Sequence, residues 1–522
     1  MKKNEDGGVS MSFINKMQET LNDEFNVSMT ENFALGYKTT GKALLDMNFA
    51  VASLRRATDE DIINRFTKAY FEDKQSALTW LFYARDVRGG LGERRLFRVI
   101  FDHLAKNMDI PIVELMALVN EYGRFDDLLC LLRSKHHTDL MAIIKEQLER
   151  DLSGIEAGTS ISLLAKWLPS INATNANVRE NARVVANELS MNWSQYRKTL
   201  SKLRKYLDVV ERKMSAGQWD EIRYDAVPSR ANLLYNRVFL RRDEERRRSF
   251  LETLKKGEAK INAGVLHPHE IVNAYMGSRN MWQQALSEYD ETLEQLWKAL
   301  PSVPELDNTI VVADGSGSMM TAVGGSSCTA LSVANALAIY FAEHSKGEFC
   351  NKYITFSEQP QLVDLSNGNS LREKLQIALA HNEIANTDVH AVFKLILTTA
   401  VKSNMVQDEL PKNIVIISDM EFDGCTKNVE QRLFSKISDE YAQHGYKLPR
   451  LIFWNVNSRT GTIPVMENEL GVALVSGFSI SIAKMVMSLE LDPYRCLLEI
   501  LNSPRYEAVR EIVANLDFPS SL

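Results

Sequence analysis

The chain of 522 residues is poor in several features that would assign it to a familiar class. It has five cysteines, Cys130, Cys328, Cys350, Cys425 and Cys496, and no C-x-x-C pair among them. That argues against a disulfide framework and against a zinc ribbon. No uninterrupted apolar run reaches about 18 residues, so no membrane-spanning helix is expected. The first residues, MKKNEDGGVSMSF, pass from lysine to acid and glycine with no apolar stretch. They do not read as a secretory signal, and a cytoplasmic protein is expected. There is no G-x-S-x-G, no Walker loop and no H-E-x-x-H. Metal-dependent phosphodiester hydrolysis would need a base and usually a second metal cluster, and neither is found, so the chain is not expected to be an enzyme. The net charge of −7 gives no overall attraction to nucleic acid, so any basic surface must be local.

What the chain has is two halves of different pattern. It is too long for one ordinary domain, and two or three are expected. From about 30 to 300 it reads as helix after helix. Ile112, Leu115, Met116 and Val119 fall on one helical stripe, and after Gly123 so do Phe125, Leu128, Leu129 and Leu132. Leu96, Val99, Ile100 and Leu104 repeat the spacing upstream. Paired amphipathic helices bury their stripes by stacking, which implies a helical-repeat array of HEAT-like kind, without a clean period. After Pro301 and Pro304 short apolar runs alternate with helical segments: NTIVVAD (308–314), NKYITFS (351–357), NIVIISD (413–419) and LIFWNVN (451–457). Such alternation predicts a doubly wound α/β domain with a parallel sheet covered on both faces. Sheets of this kind bind ligands at the carboxyl ends of their strands.

At one of those ends lies VVADGSGSMM (311–320), with the pattern D-x-S-x-S at Asp314, Ser316 and Ser318. One carboxylate and two hydroxyls on a glycine-loosened loop suit a hard, partly hydrated cation, Mg²⁺ before zinc or copper. Asp419 closes NIVIISD, read as the fourth strand, and Thr387 lies on a loop before a helix; both are expected to reach the same crevice. Thr398 and Thr399 compete with Thr387 by type but fall inside a helix. Glu421 and Asp423 are expected on a solvated loop.

This constellation resembles the metal-ion-dependent adhesion site of von Willebrand factor A domains. The resemblance implies that Ser316, Ser318 and Thr387 hold the metal directly and that Asp314 and Asp419 act through waters. A sixth position then awaits an acidic group of a partner. The sequence departs from the family where glycine often follows the second aspartate; here it has Met420. A helical array followed by a C-terminal A domain resembles the TROVE proteins of Ro ribonucleoprotein type. Their likeness is carried by TWLFYARDVRGGLGERRLFRVIFDHL (79–104) and EYGRFDDLLCLL. An uncharacterised bacterial, phage and plant family shares the two-part plan and implies little about function. The TROVE resemblance implies an array that closes into a ring bridged by the A domain. It also implies binding of small structured or single-stranded RNA. The expected organisation is a flexible segment over 1–30, the array over 31–300, the A domain over 305–490 and a helical extension over 491–522, as a monomer.

Local charge is compatible with RNA. Arg85, Arg88, Arg94, Arg95 and Arg98 cluster around Gly89, Gly90 and Gly92 at a helix start, where anions are favoured. Structural ion pairs to Asp86 and Glu93 are the rival reading. Residues 194–248 hold 15 Lys and Arg against 8 Asp and Glu. The candidate phosphate contacts there are Arg197, Lys198, Lys202, Arg204 and Lys205. Tyr196, Tyr206, Trp219, Tyr224 and Tyr235 are interleaved and could stack on unpaired bases. The bland alternative is a solvated charged face over buried aromatics. His136 and His137 are expected in a loop, and His267 and His269 at a turn before a helix. The rival function is a protein-interaction adaptor whose metal site takes a partner's Asp or Glu.

Overall fold

The computed structural model describes residues 25–276, 286–303, 306, 308–323, 328–356, 359–381, 388–422, 433–465, 472–478 and 492–514. A two-residue ladder, β1 (Ser28–Met29) with β2 (Leu35–Gly36), precedes a run of helices from Ala43–Phe49 to Glu291–Lys298. The stripe at 112–119 forms the helix Ile112–Tyr122 and buries Ile112, Leu115, Met116 and Val119. The stripe after Gly123 winds tighter, as a 3₁₀ helix over Phe125–Arg133. His137 opens the helix His137–Ala157 rather than a loop.

Buried acids pin these helices together. Asp127, fully buried, accepts the Arg124 backbone N–H and faces the guanidiniums of Arg85 at 2.6 Å and Arg98 at 2.7 Å. Burial alone would raise its carboxyl, but Arg85 and Arg98 outweigh burial and hold it below the usual range. The Gly123 backbone approaches so closely that a Cβ there would stand 2.7 Å from Asp127 Oδ2 and 3.0 Å from Arg85 Nε.

The C-terminal half is a six-stranded sheet: β3 (Thr309–Asp314), β4 (Lys352–Phe356), β5 (Leu362–Asp364), β6 (Asn413–Ser418), β7 (Arg450–Asn455) and β8 (Val472–Ser476). The order is β5-β4-β3-β6-β7-β8. All neighbours are parallel except β4 and β5, so the sheet is mixed rather than wholly parallel. The inner strands are buried along almost their whole length, as a sheet packed on both faces requires. Ala330–His344 covers one face and is itself covered by the helix Pro268–Met276, which explains its almost uninterrupted burial.

Both ends of the helical half meet this sheet unit. At the start, Asn455 donates to the Phe49 carbonyl at 2.8 Å and the Ala52 N–H donates to Ser476 Oγ at 3.0 Å. At the end, Glu294 accepts the Leu371 and Arg372 N–H groups, and Trp297 Nε1 donates to Glu343. The chain then returns: Arg505 pairs with buried Asp86 at 2.8 Å, and Tyr506 packs against Tyr83 and Tyr122. His267 and His269 flank the start of the helix Pro268–Met276, stacked on one another, His267 half-buried and His269 buried and edge-on to Phe478. Burial lowers both imidazoles; Arg55 and Arg230 act in the same sense on both, and Glu270 and Glu93 oppose them at His267.

Two outcomes follow from these packed charges. Asp127→Ala strands the Arg85 guanidinium in the interior and is expected to cost about 3–5 kcal/mol, read as a lower urea midpoint. Both imidazoles bind protons less readily in the folded protein than in the unfolded chain, where they take them up below about pH 6.5. Stability is therefore complete above that pH and is lost as the pH falls below it. His269→Gln should narrow the drop in Tm between pH 7.5 and 5.5.

Candidate metal centre at the split in the sheet

Counted within the sheet, the strand order is 3-2-1-4-5-6, and the chain winds in opposite senses on either side of β3 and β6. Their carboxyl ends form the crevice where ligands of such sheets sit. Asp314 is the last residue of β3, and Asp419 follows β6, the fourth strand of the sheet in chain order. Asp314 Oδ1 accepts the Ser316 N–H at 2.9 Å, which curls the loop back and lays Ser316 Oγ 2.9 Å from Ser318 Oγ. Asp314 Oδ2 accepts the Ser418 hydroxyl at 2.6 Å, so β3 and β6 are joined through the site itself. Ser418 Oγ in turn accepts the Met420 N–H at 2.9 Å.

Asp419 is fully buried and shares a hydrogen bond with Ser318. Its Oδ1 accepts the Glu421 N–H at 3.3 Å, whereas its Oδ2 has no hydrogen-bond donor. The nearest positive charge is Arg459 Nη2 at 3.4 Å, within ion-pair range but not hydrogen bonded. Burial and then the charge of Asp314 push the Asp419 carboxyl up, against the pull of Ser318 and Arg459. Burial likewise raises Asp314, against its bonds from Ser316 and Ser418 and the field of Arg459. Two carboxylates in one dry crevice thus face a single guanidinium, and one carboxylate oxygen lacks a donor. That oxygen-only set fits a hard divalent cation. Among the described residues no three His, Cys, Asp or Glu side chains converge as a metal cluster; this crevice pairs two acids with hydroxyls instead.

Thr387 and Asp423 lie outside the described residues. Thr399 is inside the helix Val389–Lys402, where its hydroxyl bonds the Leu395 carbonyl. Met420, where the A-domain family often has glycine, takes φ +63°. The turn needs the left-handed conformation that glycine adopts freely, and the chain achieves it with a buried methionine.

Glu421 does not lie on a solvated loop: its side chain is buried. One oxygen accepts the Arg459 and Thr460 N–H groups, each at 2.8 Å, and the other accepts the Glu31 N–H at 3.0 Å. The Thr460 hydroxyl bonds both oxygens. Residues 28–37 run across the site loops as a strap. Thr30 Oγ1 bonds the Phe422 carbonyl, and Tyr37 and Ile463 exchange backbone hydrogen bonds. A Cβ on Gly36 would meet Thr462 at 2.6 Å, so the crossing requires glycine. Nothing local in the sequence marks this role, because Glu421 and its strap partner are 390 positions apart.

The basic candidates divide. Arg85 is buried on Asp127 and is closed to phosphate. Arg94 pairs with Asp126 and Arg95 with Asp59, while Asp86 and Glu93, the partners expected from sequence, take Arg505 and Arg55. Arg88 is exposed. Arg204 donates to the Ala165 and Leu168 carbonyls and to Ser170, which makes it a structural clamp. Tyr196 and Tyr224 are buried, and Trp219 and Tyr235 pack against the small core around Tyr224 and Phe239. They are core residues and are not stacking platforms. Arg197, Lys198, Lys202 and Lys205 are exposed on the helix Trp193–Tyr206 and have no acidic partner among the described residues. At its start stands Trp193, half exposed beneath the Arg183 guanidinium at 4.7 Å, a pairing the sequence reading missed. An exposed Trp one turn before Arg197 is the signal that could have found it.

Residues 308–494 match a domain of unknown function, DUF7788, and residues 172–306 match another, DUF2828. The chain is similar to the uncharacterised protein L728 of Acanthamoeba polyphaga mimivirus, at 29% identity over 520 residues, covering 91% of this chain and 87% of the viral protein. Among solved structures the chain is similar to the crystal structure of the Deinococcus radiodurans Ro (RSR) protein, at 15% identity and a TM-score of 0.47, over 85% of this chain and 98% of that one.

The clamp at Glu421 generates its own test. Glu421→Ala removes the shared acceptor of three backbone N–H groups and is expected to cost about 1–3 kcal/mol. Amide exchange over residues 28–37 should quicken more than exchange in β6, which checks that the strap is what comes loose.

Proposed function

We propose that the protein is a non-catalytic RNA-binding protein whose sheet domain holds Mg²⁺ at an A-domain-type site. The observation that carries RNA binding is the unpaired basic face of the helix Trp193–Tyr206. Lys198, Lys202 and Lys205 point away from its buried side, formed by Tyr196, Leu200 and Leu203. In a chain of net charge −7, four exposed cations without acidic neighbours favour a phosphate backbone, and Trp193 beside them offers a ring to an unpaired base.

The cation reading is supported by the switch-point position of Asp314 and Asp419, the two serine hydroxyls between them and the donor-free Asp419 Oδ2. Ser316 and Ser318 would hold the ion directly, and Asp314 and Asp419 through water. A divalent ion there supplies positive charge and an open position for an acidic or phosphate oxygen. The chain's own residues keep the crevice dry and orient the serines: Ser418 fixes Asp314, and Asp314 fixes the Ser316 backbone.

Filter binding of a structured RNA with a single-stranded end, over about 50 to 200 mM salt, tests the RNA reading. Wild type should weaken steeply with salt. Lys198→Glu, Lys202→Glu and Lys205→Glu combined should lower affinity by about tenfold or more and flatten the salt slope by roughly two. Binding that is absent, or unchanged in the triple variant, would remove it.

A further inference from the structure

We propose that Arg459 is a tethered competitor for the cation at this site, and that Glu31 on the N-terminal strap sets how strongly it competes. The inference rests on the cation reading above and adds the residue that tunes it. The Arg459 guanidinium stands between two acids. Its Nη2 is 2.8 Å from Glu31 Oε2 and 3.4 Å from Asp419 Oδ2, the oxygen without a hydrogen-bond donor. Its backbone is held still, because the Arg459 N–H is bound by buried Glu421. Only the side chain is free to redistribute. The two acids differ in what they offer it. Asp419 is sealed in the crevice, whereas the Glu31 side chain is 48% exposed and its charge is shared with water.

A cation near Asp419 and the Arg459 guanidinium neutralise the same buried charge and repel one another. In a low-dielectric crevice that repulsion is large, so the two are alternatives. Arg459 offsets the pair of carboxylates when no ion is bound and opposes ion entry. Glu31 draws it outward and so favours the ion. Coupling of this kind is reciprocal: a bound ion releases Arg459 towards Glu31 and tightens the strap, which already crosses the loops after β6 and β7. The strap is thus a reporter of site occupancy, and a partner that pulls on the strap alters cation affinity. Glu31 also stands at the rim as an internal acid next to a cationic side chain. An incoming anionic group would meet Arg459 there as well as the ion.

Calorimetric titration of the full chain with MgCl₂ and MnCl₂ tests this, using wild type, Arg459→Gln, Glu31→Gln and Ser316→Ala/Ser318→Ala. Arg459→Gln should bind about tenfold tighter and Glu31→Gln several-fold weaker, within the usual range of coupling between sites. Glu31 is a surface residue, so its variant answers even where Arg459→Gln folds poorly. Hydrogen exchange at the amides of Glu31, Ala34 and Tyr37 should slow on adding the ion to wild type and be indifferent to it in Glu31→Gln. If wild type binds and the serine variant does not, while Arg459→Gln and Glu31→Gln match wild type, the competitor role is overturned and the cation site stands. If wild type and the serine variant behave alike, the site itself falls and the inference with it.

Discussion

Two carboxylates buried in one crevice are an electrostatic problem before they are a site. Asp314 and Asp419 lie at the ends of adjacent strands because the order of the sheet brings β3 and β6 together. Each raises the cost of ionising the other. The hydrogen bonds around them are spent on Asp314: Ser316 N–H, Ser418 Oγ and the turn that follows. Asp419 receives less and keeps one oxygen without a donor. Had the sequence served stability alone, an apolar pair would fill this crevice at lower cost, since buried charge is weak as a stabilising device. The pair, with hydroxyls beside it, is the feature on which the proposed cation site rests.

Buried acids recur elsewhere in the molecule, with the opposite outcome. Asp127, Asp86 and Glu421 are also fully buried acids in loops or helix starts, yet each is saturated. Asp127 has Arg85, Arg98 and a backbone N–H; Asp86 has Arg505 and Tyr506; Glu421 has three backbone N–H groups and Thr460. Saturated acids tie segments distant in sequence, and removing one partner leaves the other stranded. Asp419 stands apart from these three because its donor shell is incomplete. A donor-free oxygen alone does not single Asp419 out, since Asp102, Asp126 and Glu211 each have one too; what sets Asp419 apart is that its whole side chain is buried beside a second carboxylate.

The readable part of the molecule was the part written locally. Runs such as NIVIISD announce strands because a strand buried on both faces is apolar throughout; β5, three residues at the exposed edge, gave no such run, whereas β8, the fully buried VALVS, carries the same signal and was overlooked. D-x-S-x-S was legible because its atoms meet within one loop. The arginines near 85–98 were legible as charge but not as pairing, since Arg85 and Arg98 meet Asp127 from 42 and 29 positions away. The aromatic residues of 194–248 misled for a related reason. Tyrosine and tryptophan serve core and stacking roles equally, and only packing around Tyr224 and Phe239 assigned most of them inward. Arg459, Glu31 and Glu421 matter through contacts spanning nearly the whole chain, which no local pattern encodes.

Met420 shows how such a long-range contact reaches back into the site. A left-handed conformation costs a residue with a side chain about 1–2 kcal/mol relative to glycine. Burying a methionine contributes about 1.5–3 kcal/mol, enough to offset that strain. Its side chain has a place to go because the strap provides one: Met420 lines a crevice with Thr30, Leu35, Gly36, Phe422 and Thr462. Without the strap that surface would face water, and glycine would be the less costly residue there. The departure at Met420 is therefore tied to the strap, because the element that covers the loop also makes a large residue there tolerable. It follows that the turn orienting Asp419 is held partly by residues 28–37, and that the geometry of the candidate centre and the docking of the N-terminal strap are one packing problem.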